Sequence, residues 1–75
     1  MKYRRIRDLR EDLDYTQQDV ADYLVCTQAT YSRVENGARV LSVEMLIKLS
    51  ELYNVSTDYL LGISDFPKRI KRNIK

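Results

Sequence analysis

Between Thr27 and Gly37 the chain reads TQATYSRVENG. On a helix turning about 100° per residue, Gln28, Ala29, Ser32, Arg33 and Asn36 fall on one side and Tyr31, Val34 and Glu35 on the other. The first set joins small or amide side chains to a single long cation. An amide can pair with the edge of adenine, and a forked guanidinium can grip both acceptors of guanine, so this side has the chemistry to read base edges in a major groove. Ala29 is too short to read a hydrogen-bond pattern and offers only methyl contact or close approach. The competing reading is a solvated helix that happens to be short of charge.

Such a face is useful only if the opposite side is held. Tyr31 and Val34 are expected in a core, with Glu35 at its margin. Upstream, Arg10 falls inside an apolar stripe formed by Tyr3, Ile6, Leu9 and Leu13. An unpaired buried charge costs several kcal/mol, about 3–5 when a pair is broken, so Arg10 calls for an acid, and Glu35 is the best candidate. The pair would hold the Arg10 head where a phosphate could share it. Alternatively Arg10 snorkels past Leu13 into water.

The elements that position these groups are announced by one repeated signal. YTQQDV, CTQATY, LSVEML and VSTDYL each carry an apolar residue, a hydroxyl residue, and an apolar residue four places further on. That is a capped helix start with a hydrophobic staple. The caps are Thr16, Thr27, Ser42 and Ser56, and the staples pair Tyr15 with Val20, Cys26 with Tyr31, Leu41 with Leu46 and Val55 with Leu60. Asp19 adds an acid to a first turn, where the helix dipole favours it. Gly37 and Gly62 supply stops. With a first helix over roughly Tyr3 to Leu13, the chain is read as all-α, five helices and no strand. The second helix, Gln17 to about Leu24, and the third, starting at Gln28, are joined by three residues. That connection suits the sharp crossing of a helix-turn-helix, though any small bundle has tight turns.

Composition narrows the class further. The chain has 75 residues, enough for one small domain, and a formal net charge of +2 that conceals an asymmetry. Residues 1–10 hold five basic groups and one acid, residues 11–67 three basic groups and ten acids, and residues 68–75 five basic groups and no acid. Adhesion to nucleic acid through the whole surface is disfavoured, and contact must come from a few placed groups aided by the ends. There is no His and no Gly-rich phosphate loop, and the lone Cys26 belongs to no spaced metal set, so neither an enzyme nor a metal or cofactor site is expected. Cys26 is read as packing, not as a reactive thiol. No cleavable signal or spanning segment is apparent, which points to a cytoplasmic protein without membrane contact.

These residues resemble a known family. TQQDVADYL, TQATYSRVENG and LSVEMLIKLSELYNVSTDYLLG are similar to the helix-turn-helix domain of the Cro and phage-repressor type, the XRE family of bacterial transcriptional regulators. The resemblance spans about Ile6 to Gly62 and implies a compact, lambda-repressor-like DNA-binding domain over residues 1–62, with residues 63–75 as a basic tail or short helix. It further implies that Gln17 and the start of its helix clamp a phosphate. Thr27, Gln28, Ala29, Ser32 and Arg33 would face base edges or neighbouring phosphates, and Asn36, with Arg39 beside it, would contact the backbone. Arg10 and Glu35 match a buried pair in repressors of this type. Val25 stands where many members have Gly, and a β-branched residue at positive φ would cost on the order of 1–2 kcal/mol. Asp14 replaces another common Gly, and Leu41 a common Pro.

The fourth helix has an apolar arc wide enough to suggest association: Val43, Leu46, Ile47, Leu49 and Tyr53 are assigned to the core, Met45 and Leu52 to its edge as candidates for packing on a second copy or under the tail. A two-fold dimer would double the site by reading half-sites one helical turn apart. In FPKRIKRNIK, Phe66, Ile70 and Ile74 recur every fourth residue, with Pro67 allowable in a first turn, so a sixth helix is possible. Its cations could meet DNA phosphates, an acidic neighbour or an anionic membrane surface, or the segment could be a frayed end. The main expectation is a sequence-specific double-stranded DNA-binding regulator, a repressor acting as a homodimer on a palindromic operator. The rival, from a different class, is a protein-interaction module such as an antitoxin or anti-regulator, to which the acidic middle of the chain gives weight.

Overall fold

The computed structural model describes residues 3–67. Five helices follow one another: α1 (Arg4–Asp12), α2 (Gln17–Leu24), α3 (Gln28–Asn36), α4 (Val43–Tyr53) and α5 (Thr57–Leu61). There is no strand among the described residues, and no helix there is long and apolar enough to cross a membrane. The four hydroxyl caps explain four of the starts. Thr16, Thr27, Ser42 and Ser56 accept hydrogen bonds from the amides of Asp19, Thr30, Met45 and Tyr59, at 3.0–3.1 Å. At α2 the bond is returned, because the Thr16 amide donates to Asp19 Oδ2 at 2.9 Å and closes a capping box. Only α1 starts without a side-chain cap.

Helices stop where the backbone enters the left-handed region. Gly37 and Gly62 do so at φ 82° and 79°, as expected. Asp14, Val25 and Asn54 do so with a Cβ, at φ 60°, 58° and 55°. Asp and Asn tolerate this region comparatively well. Val25 does not, so the turn between α2 and α3 has the glycine-type geometry built with a β-branched residue. It is 83% exposed, and no packing offsets the strain. Val25→Gly should therefore stabilise the fold by about 1 kcal/mol, the strain relieved less the extra freedom of an unfolded glycine. A denaturant midpoint that falls in this variant would contradict that account.

Ile6, Val20, Ala21, Leu24, Tyr31, Leu49, Tyr53, Val55 and Leu60 form the buried core, with Tyr15, Cys26, Leu41 and Leu46 packed against it. Every staple residue thus lies in or on the core.

The facing of α4 corrects the sequence expectation. Val43 and Ile47, assigned to the core, are 71% and 48% exposed, whereas Met45 and Leu52, assigned to its outer edge, pack against the core. Seven of the eleven residues of VEMLIKLSELY are apolar, so composition leaves the stripe's centre undetermined. At about 100° per residue, Met45, Leu46, Leu49, Leu52 and Tyr53 share one arc and Val43 and Ile47 lie opposite.

Beyond α5 the backbone stays bonded to the domain. Arg5 Nη1 donates to the carbonyls of Tyr59 and Ser64 at 2.9 and 2.6 Å, and Nη2 to Asp65 Oδ1 at 2.6 Å. The guanidinium also lies 4.2 Å from the centre of the Tyr59 ring. The Ser56 amide bonds the Pro67 carbonyl at 2.8 Å, bringing the chain back to the start of α5. The sixth helix expected from the FPKRIKRNIK spacing, apart from Phe66 and Pro67, lies outside the described residues.

Candidate nucleic-acid interface

The turn that sets α3 across α2 is Val25–Cys26–Thr27. The Val25 amide bonds the Asp22 carbonyl and the Cys26 amide the Ala21 carbonyl, at 3.1 and 3.0 Å, which satisfies the end of α2 before the Thr27 cap opens α3. With Tyr31, Val34 and Glu35 buried, the opposite flank of α3 is left to solvent. Gln28, Ala29, Arg33 and Asn36 are exposed there and Ser32 is half-buried. Thr27 is exposed, but its hydroxyl accepts from the Thr30 amide and donates to Thr30 Oγ1 at 2.9 Å, so its hydrogen-bonding capacity is largely spent on the cap.

The end of α3 folds tightly. The amides of Ala38 and Arg39 both reach the Arg33 carbonyl, at 2.8 and 3.1 Å, so exposed Arg39 follows directly on the helix end. Pairing then decides where positive charge is available. Arg4, Arg5, Arg7 and Arg10 of α1 are engaged by Asp8, Asp65, Glu11 and Glu35. Among the described residues Arg33, Arg39 and the half-buried Lys48 of α4 have no ion-pair partner. The basic amino end, which the sequence offered as an aid to binding, is thus mostly neutralised locally, and unopposed cations sit at the exit of the exposed helix.

Behind that face lies a buried polar knot. Arg10 Nε donates to Glu35 Oε2 at 2.8 Å and Nη2 to Oε1 at 3.2 Å, while Nη1 donates to the Tyr15 carbonyl at 2.9 Å. Gln17 Nε2 donates to Glu35 Oε1 at 3.0 Å. Glu35 is 2% exposed and the Arg10 side chain 12%, so this is the pair inferred from the helical wheel, not a snorkelling arginine. Burial alone would push the Glu35 carboxyl up, but Arg10, then the neighbouring Tyr31 hydroxyl and Gln17, hold it below its ordinary value. The bond to Glu35 raises Arg10 in turn. The Tyr31 and Tyr53 hydroxyls are buried near this knot without a well-formed hydrogen bond. Burial pushes Tyr31 well up and Tyr53 up to about 12.

The structure therefore brings Gln17, Arg10 and Glu35 together behind α3 and leaves Arg33, Asn36 and Arg39 free at its end. Arg10 is too engaged to be an open cation. The first turn of α2 carries the Asp19 carboxylate, which competes with an incoming anion. Two links carried no sequence signal: the bond from Gln17 to Glu35, which needs the α2–α3 crossing, and the Arg5 anchor, whose partners lie 54–60 residues away. Met45 and Leu52 are half-buried, leaving Val43 and Ile47 as the open apolar surface of α4.

Comparison with known proteins agrees with this geometry. A family model described as helix-turn-helix matches residues 6–60. The HTH-type transcriptional regulator ImmR of Bacillus subtilis is 39% identical over 66 residues, covering 88% of this chain and 52% of that protein, so the chain spans about half the length of this relative. YobD of the same organism, also named as an HTH-type transcriptional regulator, is 31% identical over the full chain and 69% of its own length. Among solved structures, the P22 c2 repressor in complex with a synthetic operator superposes with a TM-score of 0.75 at 26% identity, covering 85% of this chain and 97% of that one. The N-terminal DNA-binding domain of SinR from Bacillus subtilis gives 0.71 at 26%, covering 81% and 90%. With its three-residue turn, its capped second helix and a match across most of its length, the chain belongs to the helix-turn-helix family of the Cro and phage-repressor type.

Proposed function

We propose that this chain is a sequence-specific double-stranded DNA-binding transcriptional regulator, a cytoplasmic repressor that reads a major groove with α3 and catalyses nothing. The observation that carries the reading is the flank of α3: small and amide side chains with one unpaired arginine, on a helix whose other side is locked in the core. A backbone clothed this lightly can approach the floor of a groove while Arg33 reaches a guanine and Gln28 an adenine. Asn36 and Arg39 follow where sugar–phosphate would pass, and Gln17 reaches it from the start of α2. The names of ImmR and YobD, and the operator bound by the P22 c2 repressor, support the same function.

The reading includes a homodimer on a palindromic operator, since one domain of this size contacts too few base pairs for selectivity. Val43 and Ile47, open to solvent one helical turn apart, suit that association better than Met45 and Leu52, which the core largely covers.

Selection from a random duplex pool tests the proposal directly, and a palindromic consensus is the expected product. On the selected site Arg33→Ala should lose about 1–3 kcal/mol, roughly 5- to 150-fold, and relax preference at one base pair, as a lost bidentate contact does. Gln17→Ala should weaken all duplexes alike and leave the salt slope unchanged, since a neutral amide displaces no counterion. If both variants bound like the parent, the assigned face would be wrong. Failure of the parent to enrich any duplex, with affinity insensitive to salt, would favour a protein-interaction module instead.

A further inference from the structure

We propose that Glu35 is a positioning residue for DNA binding, holding the phosphate-gripping Gln17 in fixed register with the base-reading flank of the helix to which Glu35 itself belongs. The proposal rests on the DNA-binding reading above and adds a role that neither the reading face nor the ion pair contains.

Glu35 Oε1 accepts from Gln17 Nε2 at 3.0 Å and from Arg10 Nη2 at 3.2 Å, and Oε2 accepts from Arg10 Nε at 2.8 Å. One carboxylate therefore gathers α1 and the start of α2 onto α3. An ionised carboxylate only accepts hydrogen bonds, so the Gln17 amide must turn its NH2 towards Glu35. One N–H of that nitrogen is consumed and the other is left for an anion outside. A free glutamine side chain would sample many rotamers and lose that freedom on binding; here it has been lost in advance. Arg10 extends the same control to the backbone, because its Nη1 grips the carbonyl of Tyr15, the residue before the Thr16 cap. Gln17 and Arg33 lie on different helices, yet the path between them runs through one rigid element.

A double-mutant cycle on the selected operator tests this with the full chain. Gln17→Ala and Glu35→Asp are made singly and together; the shortened acid keeps a negative charge facing Arg10 but draws the carboxylate back from Gln17 and Arg10 alike. Each single change is expected to weaken binding about tenfold, and the double by no more than about threefold beyond either, since a single linked contact is being removed. The salt slope should stay near the parent's in all three variants, since neither change removes a cation that neutralises a phosphate. Circular dichroism confirms that each variant is folded at the temperature used. In the free protein, nuclear magnetic resonance should find the Gln17 side-chain amide ordered in the parent and mobile in Glu35→Asp. Additive losses in folded variants, or a Gln17 amide equally mobile in both, would overturn the positioning role while leaving DNA binding intact. A parent that binds no duplex would overturn the functional reading, and this inference with it.

Discussion

Arg10→Ala should lower the unfolding free energy by about 3–5 kcal/mol, the penalty for breaking one partner out of a buried ion pair. The loss is large because Glu35, at 2% exposure, cannot turn to water when its cation is gone. The Tyr15 carbonyl loses its donor at the same time. A domain of 75 residues has on the order of 4–11 kcal/mol in total, so the loss removes from roughly a quarter to all of it. Urea denaturation at neutral pH, followed by circular dichroism, measures it. Acid should reproduce part of the effect in the parent. The Glu35 carboxyl is held below its ordinary value, so its contribution is complete above the unfolded pKa of about 4.3 and drains away as pH falls through the lower folded value. In Arg10→Ala burial is no longer offset by the cation, so the Glu35 carboxyl rises and the acid-side loss should shrink or reverse. A variant as stable as the parent would mean that the pair contributes nothing.

Leu49→Ala should cost about 2–5 kcal/mol and Ile47→Ala no more than about 0.5, although the two residues are neighbours of equal size on one helix. Leu49 is fully buried at the centre of the α4 stripe, and truncation leaves a cavity between helices. Ile47 lies on the far arc, already half in water. Equal losses would restore the wider arc inferred from composition and undo the present facing of α4. Ile47→Ala has a second readout if Val43 and Ile47 meet another copy: a stable monomer with a raised dimer dissociation constant.

The contrast between these helices explains what could be read before any coordinates. Caps at Thr16, Thr27, Ser42 and Ser56 were legible because a cap is a contract between residues three apart, and glycine stops are equally local. Arg10 was legible for the opposite reason: a charge among Ile6, Leu9 and Leu13 is so costly that its partner could be sought anywhere in the chain. The orientation of α4 was not legible, because a helix apolar on most sides fits several ways and only the neighbouring helices choose. Asn54 as a left-handed stop went unread for want of a glycine. Of the reading flank, the identities and the side were legible; the loss of the Thr27 hydroxyl to its own cap, and the neutralisation of the α1 arginines, needed distances.

The Arg5 anchor carries a practical warning. Anyone trimming the chain for expression would cut at Gly62, where the last helix stops just past the end of the family-model match. That cut strips Arg5 of the Ser64 carbonyl and the Asp65 carboxylate, takes the Pro67 carbonyl from the Ser56 amide, and leaves the guanidinium only the carbonyl and ring of Tyr59. Among the described residues, these bonds are all kept only by a fragment that runs at least to Pro67.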